Sequence, residues 1–94
     1  MKTGFVYIMS NYTRTTLYTG VTADLKKRVA EHKSGAGSVF TTRYNCKYLL
    51  YYEMHPTIEE AIKRETRIKG WYREWKENLI KSTNPQFKDL WGEL

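Results

Sequence analysis

The chain has 94 residues, 40% of them apolar, and its sixteen Lys and Arg outnumber ten Asp and Glu to give a formal net charge of +6. That length supports one hydrophobic core and excludes a separate regulatory module. With no apolar run near 18 residues and no short leader, neither a membrane span nor a secretory signal is read, and a cytoplasmic address is expected. The positive balance points to a polyanionic partner, nucleic acid ahead of a membrane surface. The single Cys46 excludes an internal disulfide and a thiolate cluster, and is read as a reduced thiol without a role.

Residues 5–9 and 16–21 are rich in β-branched and aromatic side chains, and the polar stretch 10–15 between them is turn-like, which predicts a hairpin. A register that sets Phe5 against Gly20 sets Tyr7 against Tyr18, with both phenols on one face and Gly20 leaving that face open. Packing is the default account of two strand tyrosines in a chain with eight. Asp24 then serves as N-cap of a helix running from Leu25 to Lys33 and ending at Gly35. Its apolar positions Leu25 and Val29 are joined at i+3 and i+7 by Arg28 and His32, while Lys26, Lys27 and Glu31 take the outer face. Arg28 and His32 therefore point towards the sheet, unless they sit at the stripe's edge and reach outward, which suits a long Arg better than a short His.

Residues 34–47 show no clear period, and their glycines suggest a loop that a ligand can approach, where Arg43 and Lys47 would meet phosphate. Tyr48 to Met54 is a near-continuous apolar run and reads as the central strand of the sheet. Thr57-Ile58-Glu59-Glu60 is a capping box that starts a helix running to Lys69, before Gly70. Glu65 falls in the middle of its stripe of Ile58, Ala61, Ile62 and Ile68. A carboxylate there needs an ion-pair partner, Arg28 for one, or a metal ion.

A further helix from Trp71 to Ser82 carries Trp71, Trp75 and Leu79 on one face, with Asn78 between them. An amide on that side either ties backbone together or orients a catalytic group. Lys63, Arg64, Arg67, Lys69, Arg73 and Lys76 are interleaved with Trp71 and Tyr72 and offset by few acids. Candidate nucleic-acid contacts are Arg43, Lys47, Arg64, Arg67, Lys69 and Arg73. Asn84-Pro85 opens a short segment with Phe87, Leu90, Trp91 and Leu94 at helical spacing, expected to fold back on the body or to meet another subunit. Residues 1–82 are thus read as one domain and 83–94 as its amphipathic extension.

Arg28 and His32, then Glu65, then Asn78 occupy positions that hydrophobic patterning alone would not choose. Their joint presence beside Tyr7 and Tyr18 suggests one polar site, because functional sites are where local rules are broken. The set suits phosphodiester hydrolysis. Arg stabilises phosphorane charge, Glu holds Mg²⁺, and a phenol or imidazole takes the proton of attacking water.

In order and spacing, Val6-Tyr7, Tyr18-Thr19-Gly20, Arg28, His32, Glu65 and Asn78 resemble the signature of the GIY-YIG nuclease family over residues 4–81. The chain most resembles the small stand-alone members, and is similar to the N-terminal domains of excision-repair endonucleases. The resemblance implies an α+β fold, a small three-stranded antiparallel sheet flanked by helices. It implies a metal-dependent endonuclease that hydrolyses phosphodiester bonds in DNA, structure-specific, acting in repair or recombination. The alternative is a nucleic-acid-binding module of that fold with little turnover. A third class is an interaction protein that self-associates through its aromatic tail.

Carried over by position, the resemblance makes Tyr7 the general base or the group that activates water, with Tyr18 bonding to it or to the phosphate. Arg28 binds the scissile phosphate, His32 assists proton transfer or positioning, and Asn78 braces the site. Glu65 is the sole protein ligand of one divalent metal ion, Mg²⁺ ahead of Mn²⁺. Lowering a phenol from about 10 to about 7 takes roughly 4 kcal/mol of differential stabilisation. Phe5 and Val6 replace Gly and Ile of the first motif, and Thr19 replaces Ile of the second. Many relatives carry a separate DNA-binding domain, so here the basic surface, a homodimer or a protein partner is expected to locate the substrate, with DNA ahead of RNA.

Overall fold

The computed structural model describes residues 3–94. Strands β1 (Gly4–Ser10), β2 (Leu17–Thr22) and β3 (Tyr48–His55) form an antiparallel sheet in the order β2-β1-β3. Helices flank both faces, so the α+β architecture expected from the sequence is the one observed.

The middle strand is β1, not β3. Successive side chains of a strand leave on opposite faces. Val6 and Ile8 enter one core cluster with Leu50, Tyr51, Ala61, Ile68 and Ile80, while Tyr7 and Met9 enter a second with Leu25, Val29, Cys46 and Leu49. The apolar run 48–54 misleads because the free edge of β3 is covered. Asp89 Oδ1 accepts the Leu49 N–H at 3.0 Å, and Asn84 Nδ2 donates to the Leu50 carbonyl at 3.0 Å. Two side chains thus satisfy edge groups that a further strand would otherwise take. The register of β1 with β3 shifts between Ile8 and Met9, where Leu50 is the extra residue.

The hairpin register is displaced by two residues from the expected one. Tyr7 faces Gly20, Phe5 faces Thr22, and Tyr18 faces Met9. The turn sets this. Asn11 Oδ1 accepts the N–H groups of Thr15 at 2.9 Å and Thr16 at 3.1 Å, so Ser10 pairs with Leu17 across a loop of residues 11–16. A slip of two preserves faces, so Tyr7 and Tyr18 still share one, as diagonal neighbours.

Helix α1 (Leu25–Ser34) is closed as its sequence dictates. Asp24 accepts the Lys27 N–H at 3.2 Å, and Gly35 at φ 85° lets its N–H turn back to the carbonyls of Glu31 and His32. Residues 34–47, read as a loop, contain a short helix α2 (Val39–Arg43) started by a Ser38/Thr41 capping box. Helix α3 (Ile58–Lys69) begins where Thr57 accepts the Glu60 N–H at 3.2 Å and packs across β1 and β2. Ile62, expected on its buried stripe, is exposed. Helix α4 (Arg73–Thr83) starts two residues after the expected Trp71, which instead packs on the first cluster. The tail folds back. Leu90, Trp91 and Leu94, in and beside a 3₁₀ turn at Leu90–Glu93, pack on the second cluster, and Phe87 on the first.

Candidate active site

The site is organised around a buried phenol. Tyr7 points from the middle strand towards α1, and its hydroxyl lies 2.8 Å from Nε2 of His32, which is also buried. Gly20 opposite makes room, since a Cβ there would strike the end of the Tyr7 ring. Burial pushes the Tyr7 phenol up to about 12; the charges of Tyr18 and Glu65 add to that, and neighbouring Arg28 opposes it. Burial, and then the positive charge of Arg28, pulls His32 down to about 4. At pH 7 the pair is therefore a neutral phenol against a neutral imidazole.

The far side of that imidazole is held by α2. Nδ1 lies 2.9 Å from Oγ1 of Thr41, which itself accepts the Ser38 N–H at 3.0 Å. A Cβ at residue 37 would collide with the imidazole, so Gly37 lets the loop close over it. Thr41 fixes the ring's position and, through the nitrogen it engages, which tautomer faces Tyr7.

Tyr18 has its ring centroid 6.3 Å from that of Tyr7 and 5.6 Å from that of His32. Arg28 is half-buried beside the phenol, with Nη1 3.3 Å from Glu31 Oε1, so its ion-pair partner is the acid one turn on and not Glu65. Glu65 is 9% exposed, and its Oε2 is paired with Lys69 Nζ at 2.9 Å. Oε1 takes no part in that pair. Among the described residues no group of three or more His, Cys, Asp and Glu gathers as a metal cage. A lone carboxylate does fit a hard cation that keeps most of its waters and shares substrate phosphate, as Mg²⁺ does, and does not fit the multidentate sets of Ca²⁺ or structural Zn²⁺.

Asn78 is exposed on α4 and makes no hydrogen bond among the described residues, because the helix turns Ile80 and Leu79 inward instead. Arg43 ends α2, Lys47 follows it, and both are exposed. Arg64 is tied to Glu53 at 3.0 Å, Arg67 is exposed, Lys69 is on Glu65, and Arg73 holds Glu77 at 2.8 Å and the carbonyls of Arg14 and Thr15 at 2.6 Å. Sequence reasoning missed Gly37 and Thr41, which close over and hold the imidazole. The one signal available was Ser38 three residues before Thr41, a hydroxyl pair at capping-box spacing.

An antiparallel sheet that gathers two tyrosines, an imidazole, a guanidinium and a lone carboxylate is a nuclease-type fold. The family model of the GIY-YIG catalytic domain matches residues 3–78, and the chain belongs to the GIY-YIG family. It is 41% identical over 81 residues to UPF0213 proteins of Staphylococcus aureus strains Mu3 and N315, a match that covers 86% of this chain and 98% of each of those. These relatives are small proteins that the match covers nearly end to end. The fold is shared with the solution NMR structure of a UPF0213 protein from Bacillus halodurans, at TM-score 0.58 and 29% identity over 93% of this chain and 92% of that one.

Proposed function

We propose that the chain is a metal-dependent endonuclease that hydrolyses phosphodiester bonds in DNA, structure-specific, in repair or recombination in the cytoplasm. The observation that carries this is the 2.8 Å contact between the buried Tyr7 hydroxyl and the neutral His32 imidazole, with Arg28 and Glu65 near enough for their charges to act on the phenol. With Nδ1–H donating to Thr41, the lone pair of Nε2 accepts from Tyr7.

A phenol at about 12 costs roughly 7 kcal/mol to ionise at pH 7, so a resting phenolate is the wrong reagent. Tyr7 acts instead as a relay. It takes the proton of the attacking water on its oxygen while its own proton moves to His32 Nε2. Substrate assists this. Burial holds His32 down first and the Arg28 charge second; a phosphate seated on Arg28 offsets the second, so the imidazole becomes a stronger base once DNA is bound. Arg28 then neutralises charge growing on the phosphorane, and Tyr18 orients the phosphate. Glu65 would hold one divalent ion, Mg²⁺ or Mn²⁺, which when bound supplies further positive charge at the phosphate. Arg43, Lys47, Arg64, Arg67, Lys69 and Arg73 would follow the backbone, DNA before RNA. Residues 1–82 carry the site and 83–94 complete the domain. One site cuts one strand, so a double-strand break takes a homodimer or a second encounter.

The test is cleavage of plain, single-stranded and branched DNA with Mg²⁺ or Mn²⁺ by the wild type and by Glu65→Ala and Tyr7→Phe. Both variants are expected to be inactive, and cleavage surviving in both sinks the mechanism. Salt-sensitive binding without cleavage of any substrate moves the chain to the binding-module alternative.

A further inference from the structure

We infer that the outer face of α2 is a stacking platform for an unpaired nucleobase beside the scissile phosphate; this rests on the nuclease reading above. The helix is two-faced. Thr41 faces inward on His32, while Val39 is 88%, Phe40 41% and Tyr44 43% exposed. Those rings continue the catalytic ones. Phe40 stacks on Tyr18 with centroids 5.7 Å apart and planes 29° apart, and Tyr44 lies 4.7 Å beyond Phe40. A ladder of rings thus runs from buried Tyr7 through Tyr18 and Phe40 to Tyr44 at the surface.

The chemistry around this ladder selects its occupant. The Arg43 guanidinium sits 5.5 Å from the Tyr44 ring, Lys47 follows, and residues 33–52 include no Asp or Glu. Rings beside Arg43 and Lys47, neither of which forms a salt bridge among the described residues, fit a flat base on an anionic backbone. The base is also tethered to the phosphate that Arg28 would hold, which brings it to this edge without a separate binding event. Within a duplex both faces of a base are already stacked, so only an unpaired base can use the platform. The substrate is therefore a strand unpaired next to the cut, either single-stranded or at a junction, and not continuous duplex.

The experiment is fluorescence anisotropy of a labelled single-stranded DNA oligonucleotide and of its blunt duplex, in chelator so that nothing is cut. Phe40→Ala and Tyr44→Ala are each expected to weaken single-strand binding roughly 5- to 100-fold, with less than about twofold effect on duplex and an unchanged salt slope. Phe40→Tyr restores binding, and Arg43→Gln lowers the slope of log K against log salt by about 0.7 on the single strand. Tyr44 contacts neither Tyr7 nor His32 by hydrogen bond or ring stacking, so its variant keeps the test open if Phe40→Ala unfolds. Unchanged single-strand binding in Tyr44→Ala, or equal loss on duplex, overturns the platform. If the wild type cuts while those variants bind normally, this inference fails and the nuclease reading stands. If the variants lose single-strand binding but the wild type cuts nothing, the reverse holds.

Discussion

The molecule contains two clusters built from the same four residue types. In the proposed site these are Tyr7, His32, Arg28 and Glu65; along β3 and the middle of α3 they are Tyr51, His55, Arg64 and Glu53. In the second cluster every donor converges on the carboxylate. Tyr51 donates to Glu53 at 2.6 Å, His55 Nε2 lies at 2.5 Å and Arg64 Nε donates at 3.0 Å. Burial alone would raise Glu53, but those three hydrogen bonds outweigh it and hold the carboxyl below its usual range. In the first cluster the phenol faces the imidazole, Arg28 faces Glu31, and among the described residues Glu65 is held only by Lys69. The difference lies in unused valence. A saturated carboxylate braces a fold, whereas one whose neighbours are bonded elsewhere can still take a ligand.

The largest expected effects separate the two acids. Glu65→Gln is expected to lower cleavage about a thousandfold, about 4 kcal/mol of transition-state stabilisation, and to change unfolding free energy by less than about 1 kcal/mol. Glu53→Gln is expected to do the opposite, costing about 2–3 kcal/mol of stability while the folded fraction cleaves normally. Cleavage assays beside urea unfolding decide it. A Glu65 variant as unstable as the Glu53 variant would make both clusters structural.

Acid should dissect the same pair. His32 is depressed from 6.5 to about 4 in the folded chain, so the unfolded chain binds its proton first. Its contribution is complete above pH 6.5 and is lost as pH falls to 4, up to about 3 kcal/mol. Glu53 is depressed as well, so its contribution is lost only below its ordinary 4.5. Urea midpoints between pH 7 and 3 should show two limbs, and His32→Gln should erase the first. A flat profile from 6.5 to 4.5 would break the assignment.

Glycine geometry sharpens the contrast at smaller scale. Gly20→Ala places a Cβ into the Tyr7 phenol, whereas Gly92 has nothing within 4 Å. The first is expected to cost about 2 kcal/mol and the second only the few tenths of a surface change. Equal thermal shifts would show that the phenol can move aside freely.

What the sequence made legible was local. Asp24, Gly35 and Thr57 close their helices as their chemistry requires, and the two tyrosine runs are strands of one hairpin. What it hid depends on distant side chains. Asn11 sets the register two residues from the one expected, and Asn84 and Asp89 cover the β3 edge so that an outer strand reads as a central one. Helix α2 has five residues, too few for a hydrophobic period to show. Glu65 was legible as an anomaly, but its partner Lys69 was not, and Asn78 is exposed because α4 turns Leu79 and Ile80 inward and leaves Trp75 half-exposed.

That five-residue helix supplies the smallest expected effect. Thr41→Val keeps the shape of the side chain and removes the group that Nδ1 engages. A buried imidazole nitrogen is then left without a partner, and the ring loses its reason to present one tautomer to Tyr7. Cleavage should fall about tenfold, or about 1.4 kcal/mol, and Thr41→Ser should recover most of it. Activity alone cannot distinguish positioning from general loosening, so the deciding readout is the ¹⁵N shift pair of His32, which reports where the ring hydrogen resides. Wild type and Thr41→Ser should show a single tautomer with hydrogen on Nδ1, and Thr41→Val a mixture. In a His32→Gln background the Thr41→Val change should cost cleavage almost nothing further, since a positioning residue has no effect once the group it positions is gone. Additive losses in that double variant would return Thr41 to being only the cap of α2.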